Sequence, residues 1–129
     1  MGRYDIMVKQ LINVNNYWRV IVYYNIDYTL LNFVKNDISL PVEKIDDILH
    51  KLMTEGKAVT ISNMRYRTSI VILRKHRTVE DYINSIVHEA EHIKDAMLEY
   101  YNVDNSGELP AYTIGYLVAK MYSVFKTIL

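Results

Sequence analysis

The chain has no cysteine, which excludes disulfides and thiolate metal sites; any metal must be held by histidine, aspartate or glutamate. The same absence fits a reducing, cytoplasmic compartment. Only two prolines and four glycines occur in 129 residues, and no Gly, Ser or Pro tract interrupts the sequence, which excludes a linker or low-complexity architecture. Neither sign of charge is in excess. Fifteen Lys and Arg balance fifteen Asp and Glu, so no net field steers the protein onto nucleic acid or an anionic membrane. Long hydrophobic runs are missing as well: the longest, near residues 20–24 and 70–73, fall far short of the roughly 20 residues a membrane helix requires. No signal-peptide pattern opens the sequence, since Arg3, Asp5 and Lys9 interrupt its first apolar residues.

What is present is a folding composition. Half of the residues are hydrophobic and 23% are charged, and the length suits one domain spanning residues 1–129 with a genuine core. Residues 1–16 read either as a short helical stripe or as a first strand, with Asn13, Asn15 and Asn16 as a turn. The β-branched and aromatic residues between 17 and 25 predict a strand, and a second extended piece over residues 28–34 would complete a hairpin with it. A helix is expected from about residues 39–41, with Ile45, Ile48, Leu49 and Leu52 at helical spacing and Glu55-Gly56 as its stop; His50 falls on its flank. Strands over 57–62 and 67–75 follow, joined by a tight turn at 63–66.

The second of those strands runs into the stretch that carries chemistry. Thr78 is a candidate N-cap, Glu80 and Asp81 suit a first turn, and the helix should continue to about residue 101. Val79, Ile83, Ile86, Ala90, Ile93 and Met97 recur at intervals of three and four as its apolar stripe. Roughly opposite lie His88 and His92, one turn apart on one face. Two neutral imidazoles so spaced can close on one zinc ion at about 2.0 Å each. Glu89, offset by about 100° from His88, reaches water beside the ion rather than the ion itself. The competing reading is the solvated face of an amphipathic helix.

Residues 102–107 form a polar turn in which Ser106 can cap the last helix, and Pro110 suits its first turn. This helix, over 109–129, is apolar almost all round, so it is expected to be covered on more than one side. Glu108, Tyr112, Gly115 and Ala119 fall on one stripe, and their small residues would let this helix approach the previous one near Ser85 and Ala96. That meeting would gather His88, His92 and Glu108 as three ligands and leave a fourth position for water.

The run His88-Glu89-x-x-His92, a short connection, then Glu108 leading into Leu109-Pro110-Ala111-Tyr112 resembles the gluzincin class of zinc metallopeptidases. The likeness is greatest to the compact single-domain versions found in bacteriophage and bacterial genomes, and it covers about residues 79–118. It implies an α+β, zincin-like fold: a mostly antiparallel sheet of about four strands packed on an active-site helix and a C-terminal glutamate helix. It also implies zinc held by His88, His92 and Glu108, with Glu89 as catalytic base. Asp95 and Asp104 remain open as the third ligand.

On that reading the function is zinc-dependent hydrolysis of a peptide or protein substrate, with Glu89 taking a proton from water and returning it to the leaving amine. Tyr112 is the expected donor to the developing oxyanion, ahead of Tyr116 and His76. The strand over 67–75 could align an extended peptide if it were a sheet edge, although an ordinary core strand is favoured. His50 and His76 have no partner at ligand spacing and read as surface or structural histidines. Two other classes compete: a non-catalytic zinc-stabilised binding module, in which Glu89→Gln changes nothing, and a metal-free interaction domain, in which His88→Ala and His92→Ala are nearly neutral.

Overall fold

The computed structural model describes residues 8–128 and shows an α+β fold: a four-stranded mixed sheet with two helices on each face. The strands are β1 (Val8–Val14), β2 (Trp18–Ile26), β3 (Ala58–Asn63) and β4 (Thr68–Arg74). Their order across the sheet is β1-β2-β4-β3. The pairs β1·β2 and β3·β4 are antiparallel, and the central β2·β4 pair is parallel. The helices are α1 (Leu31–Asp37), α2 (Ile45–Glu55), α3 (Val79–Tyr101) and α4 (Glu108–Phe125). None is long and apolar enough to cross a membrane.

The ambiguous first segment is strand from Val8 onward; Ile6 and Met7 lie outside the described residues. Asn15 and Asn16 turn it at φ 50° and 64°, the left-handed region that asparagine tolerates better than most residues. The hairpin therefore joins β1 to β2, not β2 to residues 28–34. That second strand does not form. Asp27 Oδ1 instead accepts from the backbone N–H of Thr29 and Leu30 at 2.9 and 3.1 Å, which turns the chain out of the sheet. Leu30, Leu31, Val34 and Ile38 then recur at helical spacing and pack on the sheet's second core. The start expected for α2 near residues 39–41 is also displaced, because Leu40 and Val42 pack against that core before the helix begins beyond Lys44, at φ 57°.

Alternation along the central strands builds both cores. Val20, Val22, Tyr24, Val71 and Leu73 face α3 and α4. Ile21, Tyr23, Ile70 and Ile72 face α1 and α2. Six of the seven residues of β4, Thr68 to Leu73, form an unbroken buried run, as a strand covered on both faces requires. The strand expected as a possible edge is thus central, and β3 is the edge beside α3.

α3 matches its expected bounds: Thr78 Oγ1 accepts from Asp81 N–H at 3.1 Å, and Asn102 closes the helix in the left-handed region at φ 55°. α4 departs from expectation. Gly107, at φ 81°, is its N-cap with no side-chain cap bond, while Ser106 donates to Asp104 at 2.6 Å. Its buried residues, Pro110, Thr113, Leu117, Met121 and Phe125, form one narrow stripe. Leu109, Tyr112 and Tyr122 stay exposed. Among the described residues no further element covers its outer side.

Candidate metal centre

α3 lies against the sheet with Ile86, Ala90, Ile93 and Met97 in the core. Its polar side borders a cleft of about 370 Å³ opened between α3 and the edge strand β3. Ala58, Thr60 and Ser62, alternate residues and so on one face of β3, line one wall. His88, Glu89, His92, Asp95 and Glu99 line the other.

Within it the two imidazoles converge. His92 Nε2 and His88 Nε2 are 3.1 Å apart, with ring planes at 81°. Two nitrogens each about 2.0 Å from a tetrahedral zinc stand about 3.3 Å apart, so the pair fits one such ion. Glu89 is only 4% exposed, and Thr60 Oγ1 donates to its Oε1 at 2.7 Å. Its second oxygen has no hydrogen-bond partner among the described residues. Ser62, deeper along the same wall, is 2.7 Å from Ser69 Oγ, which accepts from Trp18 Nε1–H at 2.9 Å. This chain ties the wall to the centre of the core.

Below the cleft Lys94, 2% exposed, gives its ammonium to Glu91 at 2.7 Å, to Asp95 at 2.6 Å and to Asn105 at 3.1 Å. The two carboxylates raise its pKa above the ordinary lysine value, the Asp95 bond contributing most. The Asn105 bond also ties the α3–α4 connection to α3.

The residues expected from α4 do not join this cleft. Glu108 is the exposed first residue of α4, Tyr112 is 71% exposed, and Gly115 and Ala119 face solvent. A Cβ built on Gly115 meets nothing within 4 Å, so the small residues mark no close helix approach. The reason is rotational: α4 buries the Thr113–Leu117–Met121 side, which turns the Glu108–Tyr112 side outward. Among the described residues, no three His, Asp or Glu side chains stand close enough together to hold an ion as they are. Asp95 shares the cleft with both histidines while its Oδ1 is held by Lys94, whereas Asp104 is not among the cleft's lining residues and accepts from Ser106. Tyr116 donates to Asn13 O at 3.2 Å, and His76 lies outside the cleft, bonded to Arg74 and Ser85; His50 is exposed on α2.

Thr60 escaped the sequence reading, since its partner is 29 residues away and only the alternation of small and hydroxyl residues in β3 hints at it. Asp95 and Glu99 do carry a signal: they continue the His88–His92 stripe at helical spacing. Comparison with protein-family models, with curated proteins and with solved structures finds no match for this chain.

Proposed function

We propose that this protein is a zinc-dependent peptidase whose centre is the cleft between β3 and α3. The observation that carries the reading is the 3.1 Å convergence of the His88 and His92 Nε2 atoms beside a buried, threonine-bonded Glu89. His88 and His92 would hold the ion. The third donor is a carboxylate, with Asp95 favoured by its place in the cleft and Glu108 as the alternative drawn from the gluzincin resemblance.

Zinc, when bound, supplies Lewis acidity that polarises a carbonyl and acidifies water. The chain's own residues do the rest. Glu89 takes a proton from water at its second oxygen as the water oxygen bonds to the scissile carbonyl carbon, and it returns that proton to the amine nitrogen as the C–N bond breaks, while Thr60 fixes the carboxylate through the other oxygen. β3 lines the cleft and is an edge strand among the described residues, and its backbone N–H and C=O groups would be open to an extended peptide. No tyrosine lines the cleft among the described residues, so Tyr112 is not retained as the oxyanion donor.

The test is cleavage of unfolded protein substrates by zinc-loaded enzyme, followed on gels with and without chelator. Chelator-sensitive cleavage by the wild type that is lost in Glu89→Gln supports the peptidase. Stoichiometric zinc with no cleavage of any substrate tried favours a zinc-stabilised binding module instead.

A further inference from the structure

A second concavity, of about 400 Å³, opens at the end of the β3–β4 hairpin away from its connecting turn. Lys57 immediately precedes β3 and Arg74 ends β4. The register that pairs Ala58 with Leu73 continues into this pair, and Arg74 N–H donates to Lys57 O at 2.9 Å. Two cations therefore stand opposite each other across antiparallel strands, an arrangement that repels. Lys75 and Arg77 line the same pocket, and Asp81 is the one acid among its lining residues, 3.7 Å from Lys57 Nζ. In a chain whose formal charge sums to zero, four permanent cations face one carboxylate.

The pocket is also preorganised. One guanidinium nitrogen of Arg74 donates to Met53 O and Gly56 O at 3.0 and 3.3 Å, at the carbonyl end of α2. The group is thus fixed in place with its other N–H donors unused among the described hydrogen bonds. Behind it His76 is 6% exposed and stacked on Tyr82 at 4.4 Å. Its Nδ1 bonds Arg74 O and its Nε2 bonds Ser85 Oγ, at 2.6 and 2.7 Å. With both nitrogens engaged, the imidazole is wall, not ligand. The N-terminus of α3 is already capped by Thr78, so the cations are what the pocket offers.

We propose that this pocket binds a small polyanion of the phosphate class, a di- or oligophosphate group, through Lys57, Arg74, Lys75 and Arg77. An arginine pinned along one side presents the planar donor fork that phosphate oxygens accept, and concave walls concentrate the field of the surrounding cations. The site shares no lining residue with the histidine cleft, so it stands whether or not zinc binds.

The experiment is calorimetric titration of the untagged chain with inorganic pyrophosphate, beside sedimentation with phosphatidylcholine vesicles carrying phosphatidic acid. Lys75 and Arg77 are exposed, so Lys75→Glu with Arg77→Glu leaves the fold intact, as circular dichroism will check. Lys57→Ala is the second pocket variant, and Lys120→Glu on α4 is the control. Saturable one-to-one binding by wild type and control, weakened roughly tenfold or more in both pocket variants, is the expected result. Saturation by pyrophosphate identifies a soluble phosphate; saturation only by the acidic vesicles, with the same loss in the variants, identifies a lipid headgroup. Equal binding by wild type and pocket variants, or no saturation with either probe, overturns the site. Where pyrophosphate saturates, the His76 ring resonance of the wild type must move with it while that of His50 stays still.

Discussion

Glu89 sits in the polar face of α3 yet is almost wholly covered, because Thr60 reaches across from β3 to its carboxylate. Glu89→Gln keeps the shape and the threonine contact but removes the base. It is expected to retain zinc and to slow cleavage by about 10²–10⁴-fold, which metal analysis and gel assays on the same preparation check together. Tyr112→Phe, by contrast, should alter neither zinc content nor cleavage, since the residue is 71% exposed and outside the cleft; a clear loss of rate would restore Tyr112 to the mechanism. His76 gives a pH dependence of its own. Burial, joined by the charges of Lys57 and Arg74, outweighs the Arg74 carbonyl bond and the Asp81 charge and pushes the imidazole below its usual range. The unfolded chain therefore binds the proton more readily. Stability from neutral His76 is fully present above the unfolded value of about 6.5 and is lost as pH falls through the lower folded value. Thermal melts from about pH 8 to about pH 5 should fall more steeply for wild type than for His76→Gln; equal slopes would contradict the burial of a neutral ring.

At the scale of elements, α4 provides the cleanest check. Gly115 lies in its interior, with open space where a Cβ would stand, so Gly115→Ala should stabilise the protein by about 0.5–1 kcal/mol. That gain corresponds to roughly 2–5 °C in Tm; destabilisation would mean that the helix packs closely there after all. The same helix shows where sequence reading stopped. Apolar content identified α4 as a helix but not which side it buries, and Glu108 and Tyr112 were assigned inward on that missing information. The segment 28–34 failed for a related reason: its aromatic and β-branched residues suit a strand, while the Asp27 turn and the spacing of Leu30, Leu31, Val34 and Ile38 make it helical. α3 was legible in its cap, its bounds and its histidine pair, and in the inner part of its apolar stripe, Ile86, Ala90, Ile93 and Met97, whereas Val79 and Ile83, expected on the same stripe, are exposed near the start of the helix. The partner that fixes Glu89 was not legible, because the Thr60 contact depends on the placement of β3 at the sheet edge.

For the molecule as a whole, two faces of one sheet are closed by two helix pairs, and β3, an edge strand among the described residues, borders the histidine cleft. That arrangement sets a convergent imidazole pair, a fixed carboxylate and an edge strand side by side. The phosphate pocket lies at the other end of the same hairpin, separate in its residues and in its tests. The most direct measurement is elemental analysis of untagged protein: wild type, His88→Ala with His92→Ala, Asp95→Ala and Glu108→Ala. Near-stoichiometric zinc in the wild type, abolished in the histidine variant and sharply reduced in one of the two carboxylate variants, is the predicted result. A wild type that carries no zinc and takes up none on titration would contradict the metal centre and return His88 and His92 to the solvated face of α3.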